Sequence, residues 1–202
     1  MIYQSISDIY AANESVRRRI IDRIETLSTD QQTCHPTEGC WSVAEIVEHL
    51  SITEQNMVRL IGMLLNKAES APAESASAPT GDGTHAADAA PATARPFKPF
   101  TLDHLVETIR DKKLTAPEQV RPNGQAALAD SLASLQRTRA TVESFRARLE
   151  TADLEAATYP HPAFGELNIS QWLAFIGHHE ERHLRQIERL LDAPESANRN
   201  EG

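Results

Sequence analysis

Apolar residues in this chain return every three or four positions over four long segments, and nowhere do they alternate for long enough to make a strand. That period matches the 3.6-residue turn of an α-helix and puts each set on one stripe of a helix surface. Ile6, Ile9, Val16, Ile20, Ile24 and Leu27 form the first stripe. Val43, Ile46, Val47, Leu50, Met57, Ile61 and Leu64 form the second, opened by Ser42 as an N-cap with Glu45 three residues on. Leu128, Leu132, Leu135, Val142, Phe145 and Leu149 mark a third. Trp172, Leu173, Ile176, Ile187, Leu190 and Leu191 mark a fourth, for which Ser170 is the expected cap. TLDHLVETIRDKK, residues 101–113, allows a short helix at most, ended by the turn-rich LTAPEQVRPNG. Amphipathic helices bury their stripes against one another, so the expected fold is all-α, a four-helix bundle with a crossover.

Residues 71–96, APAESASAPTGDGTHAADAAPATARP, hold no large aliphatic side chain and cannot offset the entropy of ordering. They read as a long flexible insert between the second and third helices, and 193–202 as a flexible tail. Residues 1–70 and 97–192 remain, about 165 in all, a normal size for a single domain. With 20 Lys+Arg against 29 Asp+Glu the formal net charge is -9, and no basic patch offers itself to phosphates, which argues against nucleic acid as a partner. Two cysteines are too few for a stapled secreted domain; Cys34 and Cys40 read as loop residues. The sequence has neither an apolar run long enough to cross a bilayer nor a signal-like N-terminus. A cytoplasmic protein without a membrane partner is expected. The eight histidines are what composition leaves unexplained.

The chemistry concentrates in GHHEERHLRQIERL, residues 177–190. At about 100° per residue, with Trp172 at zero, His179 falls near 340° and His183 near 20°, between Ile176 at about 40° and Gln186 at about 320°. Both histidines therefore follow the apolar stripe inward, whereas His178, at about 240°, points away. Two imidazoles at i and i+4 converge on one spot, which suits a divalent metal. His179–Glu180–Glu181–Arg182–His183 also spells H-E-x-x-H, the signature of zinc proteases whose Glu is the general base. Charged residues at its two variable positions, and the lack of a downstream ligand other than Glu195, argue against that reading.

Spacing alone leaves the third ligand open. His49 lies roughly 90° to the side of its helix stripe, His104 and His161 sit in the short helix and a loop, and His35 and His85 are in loops. Glu54 lies near the centre of the second stripe; a buried carboxylate there could orient a histidine or act as a base. Gln186, three residues past His183, is a similar outer partner. Trp41 and Trp172 read as packing anchors at helix starts. Arg17–Arg18–Arg19 and Arg137, Arg139, Arg146 and Arg148 read as solvated helix faces.

EGCWSVAEIVEHL, residues 38–50, and HPAFGELNISQWLAFIGHHEERHLRQIERL, residues 161–190, resemble the two signature blocks of the DinB/YfiT-like superfamily, and LTAPEQVRPNG resembles its link into the third helix. The resemblance spans nearly all of the chain outside the insert and tail. It implies an up-down-down-up bundle, often a homodimer, with a three-histidine divalent-metal site made of His49, His179 and His183. It also implies a small-molecule substrate, through metal-dependent hydrolysis or, in some branches, S-transfer with a low-molecular-weight thiol such as bacillithiol or mycothiol. Imidazole ligands suit Zn, Ni and Fe alike; Zn is the first choice because it commonly fills open three-histidine sites. The competing reading is a non-enzymatic bundle that binds a metal or small ligand. The two separate by metal content and by assays on small-molecule panels.

Overall fold

The computed structural model describes residues 1–37, 39–70, 96–108 and 115–192. In chain order these form α1 (Ile6–Ile24), α2 (Thr29–Thr33), α3 (Val43–Ser70), α4 (Asp103–Glu107), a 3-10 turn at Glu118–Val120, α5 (Leu128–Ser144), α6 (Arg146–Thr151), strands β1 (Thr158–His161) and β2 (Gly165–Asn168), and α7 (Ile169–Leu191). The long helices α1, α3, α5 and α7 carry the four apolar stripes. α7 packs against both α1 and α3, and α3 also packs against α5. The result is an all-α bundle of the four-helix type with one small hairpin added. The Ala/Pro-rich segment apart from Pro96, the tail at 193–202 and the end of the expected short helix lie outside the described residues.

The ends of α3 and α7 are fixed by reciprocal caps. Ser42 Oγ accepts the Glu45 N–H at 3.2 Å while Glu45 Oε2 accepts the Ser42 N–H at 2.8 Å, as the sequence pattern predicts. At α7 the cap is Asn168, not Ser170. Asn168 Oδ1 accepts the Gln171 N–H at 2.9 Å, Gln171 Oε1 accepts the Asn168 N–H at 2.9 Å, and Ser170 only donates its hydroxyl to Asn168. The correction comes from the hairpin: β2 carries extended backbone as far as Asn168, so the chain turns into the helix there. The hairpin itself escapes a period-two search because Leu167 is its one fully buried side chain. Gly165, with φ at +73°, closes its turn. The third stripe runs through two helices, α5 and α6, because the Phe145 N–H bonds back to the Val142 carbonyl at 3.0 Å and tightens one turn. Val142 and Leu149 stay in phase across that break, so periodicity does not register it.

The core has two apolar clusters with a polar layer between them. One gathers Ile6, Ile9 and Tyr10 of α1, Met57, Ile61 and Leu65 of α3, Val142 of α5 and Leu173 and Ile176 of α7. The other gathers Ile20 and Ile24, Val43, Ile46 and Leu50, Leu135, and Leu184 and Ile187. Along each helix the residues separating the two are polar and buried: Asn13 and Arg17 on α1, Glu54 on α3, Thr138 on α5, Glu180 on α7. Arg17 therefore does not belong to a solvated face. Its side chain pairs with both Glu54 and Glu180, while Thr138 Oγ1 donates to Glu54 Oε1 at 2.9 Å. Arg18 and Arg19 do follow expectation, pairing at the surface with Glu14 and Glu181.

Candidate metal centre

His49, His179 and His183 come together beside this polar layer. One ring nitrogen from each lies within 4.8 Å of the others, close enough to hold one metal ion. The ring centroids are 4.6 Å apart for His179 and His183, 4.8 Å for His49 and His183, and 5.2 Å for His49 and His179. The i, i+4 step along α7 brings the first pair together. The contact between α3 and α7 brings the third ring to them.

His49 is buried at 4% relative exposure, not set at the edge of the core as helix rotation alone suggests. Its flank is covered from outside the helix, by the Trp41 ring at 4.9 Å and by the 3-10 turn, whose Val120 carbonyl accepts from His49 Nδ1 at 2.7 Å. A carbonyl can only accept, so the proton is on Nδ1 and the Nε2 lone pair is left for a ligand. His183 has the same arrangement, with Nδ1 3.0 Å from Gln186 Oε1. This is the outer partner that sequence spacing proposes. Hydrogen bonds of this kind fix tautomer and ring direction in metal sites. His179 keeps a partly exposed edge.

Burial keeps all three rings neutral. It lowers the pKa of His49 against the opposing hydrogen bond from Val120. It takes His183 down to about 3 and His179 well below its ordinary value, and the closeness of the three rings adds to the effect because protonating one opposes protonating the next. Three neutral imidazoles with convergent nitrogens, two of them tied back through Nδ1, form a donor set that fits a divalent ion such as Zn, Ni or Fe.

Of the two placements its stripe position allows, inward or out to solvent, Glu54 takes the buried one, but the structure does not bring it to the histidines. Its oxygens meet Arg17 and Thr138. Glu180, the acid of the H-E-x-x-H pattern, likewise turns to Arg17. Burial, with the Glu54 charge adding to it, raises its carboxyl to about 7 despite the guanidinium. His178 does not simply point away: it is half-buried, with Nε2 3.2 Å from the Tyr3 hydroxyl. His35 pairs with Glu45 in the loop before α3, where Cys34 and Cys40 are exposed; His104 is exposed on α4, and His85 lies outside the described residues. A groove of about 480 Å³ between α3 and α5 is lined by none of the three histidines.

Residues that spacing could not single out complete the surroundings. Val120 acts through its backbone and leaves no side-chain signal. Trp41 is visible as an anchor, not as the cover of His49. Arg17 could have been found, since it shares the stripe of Ile9, Asn13, Ile20 and Ile24.

Residues 12–187 match the pattern of the DinB superfamily. The chain belongs to that superfamily. Among its relatives is the uncharacterized protein YuaE of Bacillus subtilis (strain 168), 26% identical over 177 residues, which cover 87% of this chain and 93% of that protein. The crystal structure of TT2238, a four-helix bundle protein, superposes with a TM-score of 0.56 at 19% identity, covering 91% of this chain and 98% of that one. The DinB-like bundle thus has the shared fold and, in this chain, the three-histidine cluster.

Proposed function

We propose that this DinB-superfamily chain is a metal-dependent enzyme that acts on a small molecule at a site formed by His49, His179 and His183, with Zn as its metal. The observation that carries the reading is the convergence of three ring nitrogens within 4.8 Å. When bound, a divalent ion there supplies Lewis acidity toward a water or a thiol. The chain's own residues do the rest. Val120 and Gln186 hold the Nδ1 protons of His49 and His183 away from the ligand side, and Trp41 excludes water from the flank of His49.

Of the two candidate reactions, the residues favour S-transfer with a low-molecular-weight thiol over hydrolysis. The carboxylates a hydrolase would use as a general base, Glu54 and Glu180, are both taken by Arg17. We accordingly give Glu54 a positioning role: through Arg17 it is tied to Glu180, the residue next to His179.

The same reading takes the protein as one cytoplasmic domain that works as a homodimer, without nucleic-acid or membrane partners. Among the described residues no helix is long and apolar enough to cross a membrane. Support for the up-down-down-up order comes from the core clusters. α1 and α7 meet the Ile61 cluster first and the Ile46 cluster second, whereas α3 and α5 meet them in the reverse order.

Elemental analysis of protein purified without chelator tests the site. We expect about one divalent ion per chain, lost in His183→Ala. No stoichiometric metal, together with a His183→Ala variant unchanged in metal content and thermal midpoint, would overturn the reading. A metallated protein inert toward an electrophile-plus-thiol panel and toward ester and amide panels would make it a binding module instead.

A further inference from the structure

The hairpin places a second kind of surface beside the three histidines. His161, the last residue of β1, pairs across the turn with Gly165 and stacks on Phe164, with ring centroids 4.5 Å apart and an interplanar angle of 17°. The same ring meets the Phe175 ring edge-on at 4.7 Å and the Trp172 ring at 5.5 Å, and Phe164 and Phe175 are themselves 5.4 Å apart. Phe175 leads on to His179, with ring centroids 6.1 Å apart. An unbroken run of rings therefore joins the hairpin to the histidine cluster.

The run is also held rigidly. Trp172 Nε1 donates to the Tyr159 carbonyl at 3.1 Å and fixes the indole to β1. The Ala163 N–H donates to His161 Nδ1 at 3.1 Å. That bond makes Nδ1 the acceptor, so in the neutral ring the proton sits on Nε2. His161 thus has the opposite tautomer to His49 and His183, and among the described residues its Nε2 has no hydrogen-bond partner. His161, Phe164 and His179 are each partly exposed. A ring donor without a partner, set at the exposed edge of an aromatic wall that is rooted in the core through Trp172 and Phe175 and runs to the histidine cluster, is arranged for a ligand.

We propose that the β1–β2 hairpin is the specificity element of the site. Phe164, backed by the buried Phe175 ring, takes a planar aromatic or unsaturated group of the substrate, and His161 Nε2–H donates to an oxygen on it. This assignment rests on the metal-site reading above and names the substrate class: a planar, oxygen-bearing electrophile.

Zn-loaded protein titrated calorimetrically with acetohydroxamate and benzohydroxamate tests it, because the two probes share the chelating oxygens and differ in the ring. Benzohydroxamate should bind about three- to ten-fold more tightly, the range expected for one aromatic contact. Phe164→Ala should reduce that preference to less than about two-fold while leaving acetohydroxamate binding unchanged. His161→Phe keeps a ring but removes the donor, so it should weaken both probes alike and retain the preference. His161→Asn can still accept from Ala163, so it guards against a turn that merely unfolds; it should lose the stacking and, because its amide N–H lies short of the Nε2 position, the bond to the ligand oxygen. Equal binding of the two probes by the parent protein, or no change in any of these variants, overturns the hairpin assignment and leaves the metal site standing. Failure to retain Zn, with neither probe bound, overturns the metal site and the hairpin assignment together.

Discussion

Replacing Arg17 by Met removes the cation at the middle of the polar layer. The Arg17, Glu54 and Glu180 side chains are 6%, 4% and 2% exposed, so the two carboxylates cannot turn to water for compensation. Removing one partner of a buried pair costs about 3–5 kcal/mol, because the surviving charge stays buried. Here two charges survive and face each other. At roughly 2–4 °C per kcal/mol for a domain of this size, the thermal midpoint should fall by about 6–20 °C. Circular dichroism melts and urea titrations of the parent and Arg17→Met proteins measure this directly. The pH dependence has a defined sign. Arg17 lowers the Glu180 carboxyl, so without it Glu180 takes up its proton above about 7, and the variant gains relative stability as pH falls toward 7. The gap between the two proteins should narrow over that range. A triple variant, Arg17→Met with Glu54→Gln and Glu180→Met, removes all three charges, keeps an acceptor for Thr138, and should recover most of the loss. If Arg17→Met costs less than about 1 kcal/mol, the value typical of an exposed ion pair, the layer is hydrated and the reasoning from burial is wrong.

Other consequences can be checked with the same preparations. Gln186→Leu removes the acceptor on His183 Nδ1 and should weaken Zn affinity by about 10–100-fold in competition with a chromogenic chelator, with little change in the fold. A Cβ at Gly177 would overlap the Asn13 side chain where α1 crosses α7, and Asn13 Nδ2 is committed to the Leu173 carbonyl at 2.9 Å. Gly177→Ala should therefore lower the folding free energy read from urea titration by about 1–3 kcal/mol, as for an overpacked contact, although alanine is the better helix former. For metal-free protein, burial holds His183 at about 3 and His161 at about 4, takes His179 well below its ordinary value and also lowers His49 and His178. The unfolded chain takes up these protons first, so stability should be lost as pH falls from about 6.5 toward 4. Glu180, raised to about 7, acts in the opposite direction between about 4.5 and 7, but it is one group against five. Urea midpoints that rise on acidification would contradict the neutral, buried histidines.

The part of this protein that the sequence determines is the part governed by local periodicity. The positions of the long helices, the capping box at Ser42 and Glu45, and the inward direction of His179 and His183 all follow from a 3.6-residue turn and from which side chains satisfy a helix end. The resemblance added His49, which rotation alone left at the edge of its helix. What covers that edge comes from elsewhere in the chain: the Trp41 ring and the Val120 carbonyl, 71 residues away from His49.

Only tertiary structure could decide such matters, because they depend on which elements meet. A backbone carbonyl acting on a histidine leaves no trace in residue type. β1 is four residues long with no buried side chain and so shows no alternation, and His161 reads as a loop residue until the hairpin stacks it on Phe164 and sets it edge-on to Phe175. Arg17 sits in a run of three arginines that reads as solvated surface, yet packing α1 on α7 and α7 on α3 places it between two carboxylates. The sequence by itself determined where the helices run and which way each stripe faces, since those depend on neighbours along the chain. The tertiary structure alone decided how buried charges are paired and which histidines are held ready for a ligand, since those depend on neighbours in space.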